Sequence, residues 1–198
     1  MKKIPLILTF LFLALSAQAV DQAEILYLYE RMPEPVRFAA LELEEILRNK
    51  GFIVTLRDVH GPRPAEEVFR VTVGDLMGSP QLPQHPLAAD PRVRSASQGS
   101  FEIRVRKSGA SAEVVVIGTD AAGAMYGLLD VAEKIDDQGT ADAPHRAIRD
   151  GVHQPFLSVR GAQVLIRRHA LLDPWSWFYS EEFWQGFLDR LARARFNL

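Results

Sequence analysis

The sequence predicts an α/β protein: a small α/β sandwich, with a mixed or antiparallel sheet and helices on one face, followed by the start of a second unit. Three observations predict it. Short β-rich runs and two amphipathic helical stretches follow one another as β-α-β-β-β-β-α. A polar stretch from Asp136 to Gln154, with Gly139, Pro144 and Gly151, then breaks the pattern. Beyond it lies one further β-loop-α unit, too short to bury a core of its own.

Ahead of the sandwich stands a targeting segment. Lys2 and Lys3 precede an apolar run from Ile4 to Leu15, and Ala17-Gln18-Ala19 offers the small side chains that a signal peptidase accepts. The run is shorter than the ~20 residues of a membrane span. Residues 1–19 therefore read as a bacterial signal peptide cleaved after Ala19, which places the mature protein in the periplasm or outside the cell, with no stable membrane insertion. Cleavage takes the formal charge from −2 to −4 by removing Lys2 and Lys3.

Glu24 to Glu30 is apolar on both faces, as a covered strand is. Pro33-Glu34-Pro35 opens a helix in which Val36, Ala39, Ala40, Leu43, Ile46 and Leu47 form one stripe. Glu34 near its start and Arg48 and Lys50 near its end suit the helix dipole, and Gly51 is a natural stop. Phe52 to Leu56 and Val68 to Val73 read as strands. Gly74 to Gln98 holds four of the twelve prolines and reads as a long surface loop. Phe101, Ile103 and Val105 alternate with Glu102, Arg104 and Arg106 in a half-exposed strand, which turns at Ser108-Gly109 into Glu113–Ile117, its expected antiparallel neighbour. Thr119 or Asp120 caps a helix from Ala121 to about Ile135. In the closing unit, Ser158 to Ile166 looks like a strand. Ser180 caps a helix with Phe183, Trp184, Phe187, Leu188 and Leu191 on one face.

Composition narrows the function. Among 198 residues, 47% are hydrophobic and 24% charged, which is globular and excludes bulk disorder. A formal charge of −2 argues against nucleic acid as a partner. The absence of cysteine excludes disulfides, a cysteine nucleophile and thiolate metal sites. His60, His85, His145, His153 and His169 show no ligand spacing, so no metal or other cofactor is expected. Val114 to Gly127 looks at first like a dinucleotide-binding turn. Asp120 stands where the second glycine must admit pyrophosphate, and a carboxylate there repels phosphate. Gly123 and Gly127, four apart, are better read as permitting close helix packing. Glu42, Glu44 and Glu45 read as a solvated helix face, not as general acids. No nucleophile motif is present.

The closing unit carries Arg160-Gly161, Arg168-His169 and the aromatics Trp175, Trp177, Phe178 and Tyr179. Arginine forks and aromatic faces suit sugars, and they equally suit packing between domains. Pro155, Arg160-Gly161 and Arg168-His169, with Asp189, Leu191, Ala192, Arg195 and Asn197, resemble the opening of the catalytic barrel in family 20 glycoside hydrolases, the β-N-acetylhexosaminidases. Gly123, Tyr126 and Gly127 match a Gly-x-x-Tyr-Gly in the domain that precedes that barrel. Bacterial α-glucuronidases and α-N-acetylglucosaminidases look similar in both regions. Leu165 replaces an aspartate usual in hexosaminidases, and the aromatics at 175–179 lean toward the glucuronidase-like relatives.

The resemblance implies a signal peptide at 1–19, a zincin-like accessory α/β domain without zinc at 20–136, a linker at 137–154, and from 155 to 198 the first βα unit of an incomplete (β/α)8 barrel. It implies a carbohydrate substrate, with Arg160, His169 and Trp177 as candidate contacts. The family's catalytic Asp-Glu pair lies on a later barrel strand, so no catalytic residue is expected in this chain. A non-catalytic carbohydrate-binding or interaction module is the competing reading. The targeting segment is tested first: mass spectrometry of the exported protein is expected to find Val20 at the N-terminus. Recovery of intact Met1 from the cytosol would contradict it.

Overall fold

The computed structural model describes residues 22–60, 68–108, 111–140, 143–157, 159–163 and 180–197. The signal segment, His169, Trp177 and the other aromatics of 175–179 lie outside the described residues. Six strands form one mixed sheet: β1 (Gln22–Tyr27), β2 (Ile53–Asp58), β3 (Phe69–Asp75), β4 (Phe101–Ser108), β5 (Ser111–Gly118) and β6 (Gly151–His153). Their spatial order is β2-β1-β3-β5-β4-β6. The first four in that order run parallel, and β4 is antiparallel to both β5 and β6. The helices are α1 (Glu34–Asn49), α2 (Ala121–Gln138) and α3 (Glu181–Arg193). This is the α/β sandwich that the pattern predicts.

Two covers explain the sheet's alternation. On one face Ile25, Val71, Val73, Val114, Val116 and Ile103 meet Val36, Ala40, Leu43 and Leu47 of α1 and Leu128, Val131 and Ile135 of α2. On the other face Leu26, Leu28, Val115 and Ile117 meet Leu82, Ala88 and Val93. Those three residues belong to the stretch read as a surface loop. It is instead folded into three 3₁₀ turns that cap the second face, because two-sided apolar strands cannot leave one side in water.

That second face also carries charge in register. Glu24 of β1 lies opposite Arg70 of β3, Arg70 opposite Glu113 of β5, and Glu113 opposite Arg106 of β4. Glu24 is buried and accepts from both Arg57 and Arg70. Glu113 accepts from Arg106 at 2.7 Å, Thr72 at 3.2 Å and His85 at 3.2 Å. Glu102, fully buried, is held by Arg92 at 2.8 Å and Arg104 at 2.9 Å. Each of these three carboxylates thus meets two arginines, or an arginine and a histidine, which offsets the cost of removing it from water.

Helix ends follow the sequence signals. Gly51 has φ +96°, and the amides of Gly51 and Phe52 bond to the Arg48 and Leu47 carbonyls, a Schellman stop. At α2 the Asp120 carboxylate accepts from Gly123 N at 2.8 Å and Gly99 N at 3.1 Å. Two readings change. Residues 159–163, expected within a strand, have no regular secondary structure. Strand β6 lies inside the stretch read as linker, with Pro144 and Ile148 buried beside it. Three residues between glycine and proline are too few to show a period. Among the described residues no helix is long and apolar enough to cross a membrane.

The buried carboxylates set an acid response. Burial alone would raise the pKa of Glu113, but the His85 bond and the His85, Arg106 and Arg70 charges outweigh it and hold the group below its ordinary value. Glu102 is lowered against burial in the same way by Arg104 and Arg92. A lowered folded-state pKa contributes stability above the unfolded value, lost as pH falls through the folded one. Unfolding midpoints are therefore expected to fall between pH 5 and pH 3. Glu113→Gln is expected to cost about 1–3 kcal/mol at pH 7 and to flatten that dependence, read by denaturant titration at several pH values.

Candidate functional site

A pocket sits where the sheet edge, α2 and the segment after α3 converge. Its volume is about 260 Å³. Phe101 of β4, Tyr126 of α2, His153 of β6, Phe156, Arg160 and Arg195 supply its walls. The local sequence explains each placement. A Cβ on Gly123 would stand 2.1 Å from the Ser100 carbonyl oxygen, and one on Gly127 would stand 2.4 Å from a Val116 methyl. Only hydrogen at these positions lets α2 lie this close to β4 and β5. That approach carries Tyr126, which is buried, to the edge of the sheet.

Tyr126 then reaches out of the sandwich. Its hydroxyl donates to the Phe196 carbonyl at 3.0 Å, and the Arg160 guanidinium stands 5.6 Å over its ring. One turn further along α2, Asp130 binds Lys134 at 2.6 Å and Arg195 at 2.9 Å. Arg195 also lies 5.7 Å over the Phe101 ring, on which His153 stacks at 4.7 Å. Burial, Lys134 and Arg195 hold the His153 pKa below its ordinary value, with Asp130 pulling the other way.

Arg160 is the sequence-predicted contact that the structure describes. Its Nε donates to the Arg195 carbonyl at 2.5 Å and its Nη1 to the Leu157 carbonyl at 2.6 Å. Its main chain pairs with Asn197 in both directions: the Arg160 amide donates to the Asn197 side chain at 2.7 Å, and the Asn197 amide to the Arg160 carbonyl at 2.8 Å. Nε and Nη1 are thus each engaged by a carbonyl of the protein, and Nη2 lies beside Gly99 at the pocket. His169 and Trp177 lie outside the described residues.

Tyr126 stands in a sequence motif, but its partners do not. His153 and Phe156 flank Pro155 in a stretch with no period, and Phe156 is 99% exposed. Arg195 shows no signal beyond its place in the helix pattern. The pocket offers aromatic walls and hydrogen-bond donors. It holds no nucleophile with an adjacent base, and the Asp130 carboxylate is committed to two cations. Asp75, also buried, accepts from Tyr29 at 2.8 Å and from the Met77 amide at 2.8 Å, which makes it the lock of a turn. Among the described residues no group of three His, Asp or Glu could hold a metal ion.

Glu42, read as part of a solvated face, instead binds Arg193 of α3 through both oxygens at 3.0 and 2.8 Å. A groove of about 340 Å³ runs between α1, α2 and α3 past this pair.

No protein-family model matches the chain, and no curated protein matches it. Among solved structures the fold is similar to that of a GH138 enzyme targeting pectin rhamnogalacturonan II. The TM-score is 0.55 and the identity 20%, over 89% of this chain and 23% of that one. CpGH84D is also similar, with a TM-score of 0.42 and 15% identity over 61% of this chain and 18% of that one. At these identities the first likeness concerns the fold, and the second is too distant to carry an argument. The chain spans about a quarter of the length of the GH138 enzyme.

The glycine contacts give a direct test. Gly127→Ala is expected to overpack α2 against Val116 and Phe101 and to cost about 1–3 kcal/mol in denaturant unfolding. Gly186→Ala, where a Cβ meets nothing within 4 Å, is expected to be neutral or slightly stabilising.

Proposed function

We propose that this chain is the N-terminal part of an exported, exo-acting glycoside hydrolase acting on oligo- or polysaccharide, hexosaminidase- or glucuronidase-like. In this reading residues 20–136 are a non-catalytic accessory domain, 137–154 a linker that also lends β6 to its sheet, and 155 onward the opening of a (β/α)8 barrel. Chemistry then belongs to groups beyond this chain.

The observation that carries the reading is the pairing of Arg160 with Asn197. In a βαβ unit the helix returns the chain to the starting end of the neighbouring parallel strand. The residue after the helix then lies beside the residue that opens the previous strand, as Asn197 after α3 lies beside Arg160. This supports the barrel-opening resemblance carried by Arg160-Gly161 and Asn197. The likeness in fold to a GH138 enzyme agrees with it.

The same pairing bears on Arg160. If a barrel strand follows Arg160, as this reading requires, Arg160 stands at its starting end, and (β/α)8 barrels keep their chemistry at the opposite end. Its guanidinium bonds to carbonyls on both sides of the junction. We therefore assign Arg160 to bridging the two units, and leave His169 and Trp177 as the proposed sugar contacts. A second reading, a carbohydrate-binding module, is favoured by the bare Phe156 ring at the pocket mouth, since aromatic faces stack on sugar rings.

Experiment separates these. Purified residues 20–198 are expected to turn over no aryl glycoside, and turnover would overturn the fragment reading. NMR titration with neutral monosaccharides is expected to leave the signals of Phe156 and its neighbours unmoved; shifts confined to them would favour the binding module. In a longer chain with a whole barrel, Arg160→Lys is expected to lower unfolding stability by about 1–3 kcal/mol with kcat/KM nearly unchanged. A ten- to two-hundredfold fall in kcat/KM at unchanged stability would return Arg160 to the sugar.

A further inference from the structure

The helix α3 poses a physical problem. It has 13 residues and none of them is buried. An isolated helix of that length is marginal in water. Its caps help: the Ser180 side chain accepts from Phe183 N, and Glu181 and Glu182 stand in the first turn. They do not attach it to anything.

Among the described residues, the bonds from α3 to α1 and α2 lie at its C-terminal end. Arg193 forms its two-pronged bond with Glu42 of α1 and lies 5.9 Å over the Phe38 ring. Arg195 binds Asp130 of α2, Tyr126 donates to the Phe196 carbonyl, and Ala192 packs on the edge of the main core.

The helix end itself carries a second, independent sign. Amides of Arg195 and Phe196 bond to the Ala192 and Leu191 carbonyls, the same stop that Gly51 makes for α1. Here the left-handed position is filled by arginine, at φ +62°. A non-glycine residue carries a steric penalty there that glycine does not. What arginine adds is the guanidinium on Asp130, while its carbonyl, turned by that conformation, receives Nε of Arg160. The backbone at Arg195 is thus held in a disfavoured region by contacts on both sides of the junction.

We propose that the outer face of α1 and α2, made by Glu42, Tyr126 and Asp130, is a docking surface for a helix end bearing two arginines two residues apart. Through it the sandwich acts as the template that sets Arg160 beside Asn197. The occupant is the C-terminal end of α3. No sugar chemistry enters here: the accessory domain positions the unit that follows it. That second unit is aligned on the first by charge-assisted bonds at one helix end.

Amide hydrogen exchange on the full chain tests it. Asp130→Asn is expected to speed exchange at residues 183–193 and at Asn197 by tenfold or more, while β5 and the first turns of α2 keep their protection. Arg195→Gly discriminates further. If Arg195 only ends the helix, glycine relieves the backbone and α3 exchanges more slowly or unchanged, which would overturn the proposal. If Arg195 is a latch, exchange accelerates in spite of the easier backbone. Glu42→Arg is expected to accelerate exchange of α3, and Glu42→Arg with Arg193→Glu to restore most of the protection. Failure of that charge swap to restore it would likewise count against the docking surface. Should Asp130→Asn unfold the whole molecule, seen as lost protection in β5, the glycine and charge-swap variants decide alone.

Discussion

The close approach of α2 to the sheet is the constraint on which the rest depends. Gly123 and Gly127 leave room for the Ser100 carbonyl and the Val116 side chain, and a methyl group at either place would occupy that space. Because the helix lies so near, Tyr126 can be buried at its base and still extend its hydroxyl beyond the sandwich. Asp130, one turn on, keeps its carboxylate at the same margin. The bonds to Phe196 and Arg195 start from those two residues, and the Phe101 ring under Gly127 meets Arg195 as well. The same glycines suggested a nucleotide site in the sequence. Asp120 resolves the question: its carboxylate caps α2 and binds the Gly99 amide, filling the place where a phosphate would need the helix N-terminus.

The sheet's second face answers a different problem. A strand such as β5, apolar on one side and partly charged on the other, needs a cover that can receive both. The 3₁₀ stretch supplies Leu82, Ala88 and Val93 for the apolar part, and His85 and Arg92 for the carboxylates. Prolines there fix φ and withhold amide donors from further pairing, so the stretch lies on the sheet without extending it. Cross-strand register does the rest, because Glu24, Arg70, Glu113 and Arg106 fall side by side only in the observed pairing. A slip of one residue in any of these strands would turn its charge toward the helices.

Legibility in the sequence followed periodicity. The apolar stripe of α1, the cap at Asp120, the stop at Gly51 and the alternation of β4 all repeat often enough to be read, and the structure has them. Strand β6 has three residues and no period, so it was hidden inside a polar stretch. The covering role of 74–98 was hidden too, since burial of Leu82, Ala88 and Val93 depends on a partner far away in the chain. Glu42 sits in an acidic run with Glu44 and Glu45 that reads as solvated, yet Glu44 is largely covered beside Arg48, and only the fold brings Arg193 to Glu42 across 151 positions. The candidate pocket was partly legible through Gly-x-x-Tyr-Gly. His153, Phe156 and Arg195 reach it through tertiary structure alone.

Eighteen of the twenty-three basic residues are arginine, and the contacts explain that preference. Arg104 serves Glu102 and the carbonyls of Leu87, Ala89 and Asp90 at once, tying β4 to the cover of the second face. Arg160 serves two carbonyls from separate segments and lays its plane over Tyr126. Arg193 grips both oxygens of one carboxylate. An ammonium group is a point charge on a flexible stem and cannot hold several acceptors at fixed angles. A planar fork can, so one side chain replaces several turns of main-chain hydrogen bonding where irregular segments meet. In a molecule without disulfides, the places joined by arginine are the places where the chain is least regular: the 3₁₀ cover, the sheet margin and the junction with α3. Arg104, Arg160, Arg193 and Arg195 thus serve as fastenings between segments of the fold.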